Sequence, residues 1–370
     1  MTAGPFRPTA AVVDLDAVRH NVRALRPDRA ELMAVVKANG YGHGDVPVAR
    51  AALEAGATWL GVALVEEGLR LRDGGIDAPI LVLTEFPRGS EKEALAAKLT
   101  PTLYTEEAVA SVADAAAALG RGGPVHVKVD TGMHRVGVAP ELASRLCLGI
   151  RDAGLELEGV WTHFAAADDP DDPSAGEQLD RFRRVLAELE RDGVRPRYRH
   201  AANSAAVLAL PDSHLDLVRV GIALYGIAPG PALEGRAELR PAMSLRSQVT
   251  LTKRVAPGEG VSYGLRYRLE RESTVATVPV GYADGYHRAA SGRAQVLIRG
   301  RRYPVAGTVT MDQITVDCGD DPVQAGDEVV LFGSQGEQEI RAEELAGWAG
   351  TIGYEVVCSV SDRVPREYRG

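Results

Sequence analysis

The sequence predicts an α/β fold: an N-terminal (β/α)₈ barrel of the TIM type, followed by a C-terminal mainly β domain. Eight strand-like runs alternate with helical patterns over about 220 residues, which suits a closed parallel barrel. No GxGxxG follows the first strand, which disfavours the open doubly wound sheet that is the alternative. After Gly230 the texture changes to short runs separated by turn residues.

In chain order, Ala10 to Leu15 reads as a leading strand, and Asp16 is placed to cap a helix from Ala17 to about Leu25. The barrel strands are expected at Glu31 to Lys37, Trp59 to Leu64, Pro79 to Thr84, Thr100 to Tyr104, Val125 to Asp130, Leu157 to His163, Tyr198 to Ala202 and Leu215 to Ile222. Apolar residues at three- and four-residue spacing place helices at Val46 to Glu54, Glu66 to Arg72, Glu91 to Ala97, Glu106 to Leu119, Glu141 to Asp152, Glu177 to Arg191 and Ser204 to Leu208. Glycines 56, 74, 120, 154 and 193 mark helix ends. Downstream, strands are expected at Ser247 to Val255, Thr274 to Val280, Ala294 to Ile298, Gln313 to Val316 and Glu328 to Leu331, with one helix from Ala342 to Trp348. The domains are therefore 1–237 and 238–370, with residues 1–10 free to pack with the second.

Composition narrows the function. Apolar residues make up 45% and charged residues 25%, and the formal charge of −9 argues against a nucleic-acid partner. No apolar run is long enough to span a bilayer and Met1 to Pro8 lacks the apolar core of a signal peptide, so a cytoplasmic protein is expected. Three scattered cysteines suggest neither a disulfide framework nor a zinc site, and eight histidines without an HExxH pattern imply no metal.

Chemistry in such barrels gathers at the C-terminal strand ends. The first predicted barrel strand ends on Lys37, followed by Tyr41 and a turn with glycines at 40, 42 and 44 that allow unusual backbone angles. A lysine leaving the core there is partly desolvated, which frees its amine to attack a carbonyl. The fifth carries Lys128 and Asp130 and leads to Arg135; the sixth ends on His163; the seventh runs into Asn203 and Ser204; the eighth holds Arg219, Gly221 and Ile222. Singly, each has a structural explanation as a core histidine, an ion-pair partner or a helix cap. Together they imply one pocket. The last two strand ends are where these barrels commonly bind phosphate, and a phosphate beside a carbonyl-reactive lysine points to pyridoxal phosphate.

The motifs resemble the alanine racemases, fold type III pyridoxal phosphate enzymes. They are AVVKANGYGHG (34–44), VKVDTGMHRVG (127–137), THFAAAD (162–168), HAANSAA (200–206), RVGIALYG (219–226), VSYG (261–264), VPVGYADGY (278–286), AGTVTMDQ (306–313) and SDRVPREY (361–368). The resemblance implies interconversion of L- and D-alanine, with D-alanine serving cell-wall peptidoglycan, by a homodimer whose active sites are shared. It implies that Lys37 is the Schiff-base lysine and one base, and Tyr263 the other, supplied by the partner subunit. Arg219 resembles the residue facing the pyridine nitrogen, and Tyr41, Ser204, Gly221, Ile222 and Tyr354 the phosphate-binding set, with Asn203 alongside. His163 resembles the residue beside the ring and Arg135 the one near the phenolate oxygen. Lys128 matches a position carbamylated in many relatives, Met311 and Asp312 resemble substrate-carboxylate residues, and Tyr282 resembles a gate. Three departures stand out: Gly40 where alanine is usual, Thr310 where cysteine is frequent, and His287 where proline is common.

Alternatives are a racemase of broader specificity and a non-enzymatic pyridoxal phosphate carrier. Arg219 argues against a decarboxylase of the same fold, whose residue at that position is acidic. Tyr263 and the β-rich second domain, absent from carriers, favour an enzyme.

Overall fold

The computed structural model describes residues 6–120 and 122–370. The chain divides into two compact units. One comprises Ala17–Gly40 and Asp45–Arg240; the other takes the N-terminal residues through Asp16, Tyr41–Gly44 and Pro241–Gly370.

The strands, in chain order, begin with β1 (Ala10–Asp14), which belongs to the second unit. Eight follow in the first unit: β2 (Glu31–Val35), β3 (Trp59–Val62), β4 (Ile80–Val82), β5 (Leu99–Leu103), β6 (Pro124–Lys128), β7 (Glu156–Trp161), β8 (Tyr198–His200) and β9 (Leu217–Val220). They form one parallel sheet in the order β8-β7-β6-β5-β4-β3-β2-β9. Hydrogen bonds from Asp216 N to the Arg199 carbonyl (3.1 Å) and from Arg219 N to the Ala202 carbonyl (3.0 Å) join its two ends, so the sheet closes into the expected barrel. Side chains fill the interior. Met33, Trp59, Leu81, Tyr198 and Leu217 form one cluster, and the Trp59 ring lies 5.3 Å from His126 and 5.4 Å from Tyr198, on strands that are not its neighbours.

Each of the eight expected barrel strands is present. Most are shorter than expected, the first ending at Val35 rather than Lys37 and the last running only from Leu217 to Val220. Helices pack outside, each burying one stripe. Leu15–Leu25, for example, buries Ala17, Val18, Asn21, Val22 and Leu25. Asp16 does not cap that helix but sits inside its first turn, where a carboxylate still favours the positive helix end. Gly74 ends its helix at φ −72, without the left-handed turn expected of a terminal glycine.

The second unit holds the remaining strands: β10 (Met243–Gln248), β11 (Leu251–Val255), β12 (Gly260–Val261), β13 (Tyr267–Arg268), β14 (Ser273–Val278), β15 (Gln295–Ile298), β16 (Arg301–Pro304), β17 (Ile314–Asp317), β18 (Glu328–Gln335), β19 (Gln338–Ile340) and β20 (Arg366–Arg369). Its main sheet runs β16-β15-β18-β10-β1-β20, with β19 beside β18; β11-β14-β17 and β12-β13 form two smaller sheets. The single strand expected over Ser247 to Val255 is instead two strands in different sheets. Val249 N bonds the Asp327 carbonyl (2.9 Å) and Thr250 N the Thr277 carbonyl (2.9 Å), which hands the chain from one sheet to the other. Besides the expected helix at Ala342–Ala349, a second occurs at Gly353–Ser359; its opening glycine and its valines at 356 and 357 disguise it in the sequence. Among the described residues no helix is long and apolar enough to cross a membrane.

Candidate active site

Lys37 follows the buried Val36 at the C-terminal end of β2 and is itself half-buried. The next four residues turn left-handed: Ala38 and Asn39 at φ 53, Gly40 at φ 60 and Tyr41 at φ 50. For L-residues this costs roughly 1–2 kcal/mol each, so the turn needs outside support. The buried Glu67 gives it: Oε1 accepts from Ala38 N at 2.6 Å, while Oε2 accepts from Ala63 N (2.8 Å) and Leu64 N (3.1 Å). Asn39 Oδ1 accepts from Asp45 N at 3.1 Å. Read from the sequence as the start of a helix, Glu67 is thus the brace of the lysine turn.

Across the barrel mouth, Lys128 ends β6. It is buried with its ammonium 4.9 Å over the Trp161 ring, and burial, reinforced by Arg135 and Arg219, pulls its pKa down to about 8. Beyond it, Asp130 Oδ1 accepts from the backbone N–H groups of Gly132, Met133 and His134, each at 3.0 Å, and so shapes the loop that carries the exposed Arg135.

Arg219, on β9, is the most enclosed charge of the group. Its Nη1 donates to His200 Nδ1 (3.1 Å), and its Nη2 lies near the carbonyls of Thr162 (2.7 Å) and Ala201 (3.0 Å) and His163 Nδ1 (3.1 Å). The guanidinium also lies 4.6 Å over Trp161. Burial pulls its pKa down to about 9, which leaves it cationic at neutrality. Its Nε–H has no hydrogen-bond acceptor among the described residues. His163 is held well below the ordinary histidine range by burial, then by Arg219, Lys128, Arg135 and Lys37, and is therefore neutral. That mutual influence places Lys37, Lys128, Arg135, His163 and Arg219 around one mouth.

At the neighbouring strand ends, Asn203 caps the helix Ser204–Ala209 by accepting from Ala206 N (3.0 Å). The cap is therefore Asn203 and not Ser204, leaving the buried Ser204 Oγ to accept from Gly221 N at 2.8 Å. Ile222 follows, buried, at the start of a short 3₁₀ turn.

The remaining residues fall in the second unit. The rings of Tyr41 and Tyr354 lie 6.4 Å apart, tilted at 53°. Gly42 packs against the Val357 carbonyl, where a Cβ would come within 2.2 Å. Tyr263, Tyr282, Met311 and Asp312 share one scaffold. Ser262 Oγ donates to the Thr308 carbonyl (2.7 Å), Thr308 Oγ1 to the Tyr263 carbonyl (2.8 Å), and Tyr282 N and Ala283 N to the carbonyls of Thr310 (2.9 Å) and Met311 (3.0 Å). Asp312 pairs with Arg363 at 2.7 Å. Tyr263, Met311 and Tyr282 are 76%, 52% and 41% exposed.

The family described as the alanine racemase N-terminal domain matches residues 13–229, and the alanine racemase C-terminal domain matches residues 242–368. The chain belongs to the alanine racemase family. Alanine racemases of Symbiobacterium thermophilum and Frankia casuarinae are 53% and 48% identical to it, each over 99% of this chain and over 98% and 97% of their own. The crystal structure of alanine racemase from Streptomyces lavendulae superposes with a TM-score of 0.94 at 48% identity, covering 100% of this chain and 98% of its own. That of the Bacillus anthracis alanine racemase with bound L-Ala-P superposes at 0.91 with 39% identity, covering 100% and 96%. As a member of this family the chain is an isomerase acting on amino acids, with alanine racemase activity.

Proposed function

We propose that the chain interconverts L- and D-alanine with pyridoxal 5′-phosphate as cofactor, using Lys37 and Tyr263 as bases in a site completed by a second copy of the chain. The observation that carries this is Arg219, a buried guanidinium at the barrel mouth whose Nε–H has no acceptor among the described residues. That N–H is left available for an acceptor brought by a ligand, and the pyridine nitrogen is such an acceptor. The rest of the donor set fits the same molecule. Lys37 would meet its aldehyde, Arg135 would serve its phenolate oxygen, and Ser204, Gly221, Tyr41, Ile222 and Tyr354 would hold its phosphate, with Asn203 fixing the helix alongside.

When bound, the cofactor supplies an electron sink for the substrate α-carbon. Arg219 keeps its proton at neutral pH, so it orients the ring without making it a strong sink, which favours return of the proton to the α-carbon. Lys37 moves that proton on one face and Tyr263 on the other. Two bases are needed because one fixed base would hand the proton back to the face it came from. Lys128, with its pKa near 8, has a neutral fraction able to take up carbon dioxide as a carbamate, whose negative charge would steady Arg135. Met311 and Asp312 would frame the substrate carboxylate and Tyr282 the entrance.

Exposed Tyr263 and Met311, with Leu265 beside them, support a homodimer in which these residues complete the partner's barrel mouth. Buried thiols at Cys147 and Cys318 suit a reducing cytoplasm, and the D-alanine made there would supply peptidoglycan. The test is direct: purified protein stripped with hydroxylamine is given L-alanine with and without pyridoxal phosphate, and D-alanine is measured. D-alanine should form only with the cofactor. Equal racemisation by the fully stripped protein would overturn the reading.

A further inference from the structure

Arg219 is a buried cation whose hydrogen-bond partners among the described residues include no carboxylate; its bonds go to carbonyls and imidazoles. One of those bonds starts a chain of fixed direction. A guanidinium can only donate, so His200 Nδ1 is an acceptor and His200 carries its proton on Nε2. That Nε2 lies 2.9 Å from His126 Nδ1, so His126 must accept there and carry its own proton on Nε2. His126 Nε2 in turn faces Glu158 Oε2 at 3.4 Å, a charge–dipole contact and not a hydrogen bond, and both atoms are buried without a hydrogen-bond partner among the described residues.

We propose that Glu158, His126 and His200 form a one-way relay that positions Arg219 and balances its charge from across the barrel interior. All three are positioning residues; none touches the substrate. The proposal rests on the reading of Arg219 as the residue facing the cofactor ring. The barrel is shaped for the relay. His126 and Gly159 are register partners on β6 and β7, and a Cβ on Gly159 would lie 2.4 Å from His126 Nδ1, so a bare backbone is what admits the imidazole. The Trp161 ring stacks on His200 at 5.7 Å and an angle of 16°, and the same ring underlies the Arg219 guanidinium. Both imidazoles are fully buried. Burial holds His200 well below the ordinary range and lowers His126 despite the opposing pull of Glu158, so both stay neutral, as one-way donation requires. Leucine or phenylalanine would fill the same space without desolvating four ring nitrogens, so simple packing does not account for the choice.

The test reads the tautomers directly. Long-range ¹⁵N NMR of the imidazoles in the full-length wild-type protein, without added cofactor, should show His126 and His200 neutral and protonated on Nε2 between pH 6 and 8. Glu158→Gln keeps an acceptor oxygen and should preserve both tautomers. Glu158→Leu should release His126 to a mixture and weaken pyridoxal phosphate binding about tenfold relative to Glu158→Gln. An Nδ1-protonated or charged ring in the wild type overturns the relay, as does a Glu158→Leu protein with unchanged tautomers and affinity. If the leucine variant does not fold, the wild-type and glutamine spectra still decide. Correct tautomers in a protein that does not bind pyridoxal phosphate would support the relay and instead defeat the cofactor reading.

Discussion

Asp130 shows how much one side chain can organise at the barrel mouth. Burial alone would raise its pKa, but hydrogen bonds from His134, Gly132 and Met133 outweigh it, and the net direction is down. A carboxyl depressed in the folded state contributes stability that is complete above the unfolded value near 4 and is lost as pH falls through the folded value. Asp130→Ala should therefore cost about 1–2 kcal/mol at pH 7 and progressively less as pH falls below about 4, a trend that urea titrations across that range would show. Because the same bonds shape the Arg135 loop, the KM for alanine should rise with it. Lys37 and Tyr263 carry a sharper prediction. Borohydride reduction should attach pyridoxal phosphate to the tryptic peptide containing Lys37, and Lys37→Ala should abolish the attachment; label persisting in that variant would reassign the lysine. In deuterated water, Tyr263→Phe should stop α-proton exchange of L-alanine while D-alanine still exchanges slowly through Lys37. Mass spectrometry of each recovered enantiomer distinguishes this from equal loss of both.

At the scale of elements, the left-handed turn after Lys37 marks where reading the sequence stopped. Glycines 40, 42 and 44 announced unusual backbone angles and have them, at φ 60, 82 and 96. Ala38, Asn39 and Tyr41 gave no such sign, because L-residues enter this region only when their surroundings compel it. The brace, Glu67, comes from another helix, and no local pattern names it. Ala38 is exposed, so Ala38→Gly should relieve its left-handed strain at the cost of a looser unfolded chain, a net gain of about 0.5–1 kcal/mol visible as a higher Tm. Gly42→Ala should do the reverse and lose more than about 2 kcal/mol, since its Cβ would press on the Val357 carbonyl at 2.2 Å. The barrel strands were legible because buried parallel strands are short apolar runs punctuated by helices. His126 and Glu158 were not: they lie within strands, and only the register in which β6 pairs with β7 brings them together. The split of Ser247 to Val255 into two strands was equally hidden, being decided by which neighbours offer hydrogen bonds to residues 249 and 250.

For the whole molecule, Lys37 belongs to one compact unit and Tyr263 to the other. If the second base comes from a partner chain, inactive Lys37→Ala and Tyr263→Ala proteins should complement. A mixed dimer then holds one site with both bases intact, and a random mixture of equal amounts should recover roughly a quarter of wild-type activity, half the molecules being mixed with one good site each. The measurement is activity after subunit exchange, with exchange proved by tagged chains. No recovery despite proven exchange would locate both bases within one chain.

The pairing of β1 with β20 sets a schedule for synthesis. Ala11 is the register partner of Arg366, 355 residues later by their numbers (366 − 11). At the ribosome's pace of about 5–20 residues per second, that interval lasts roughly 20–70 s. All eight barrel strands precede residue 241, so the barrel can close while the sheet that claims the chain's first strand is still being translated. Throughout that wait Ala-Ala-Val-Val, later buried, is an apolar strand without its final neighbour. A nascent chain stalled near residue 300 would therefore pair a finished barrel with an open, adhesive edge, and such chains are the ones that a cell's holding chaperones should be found to occupy.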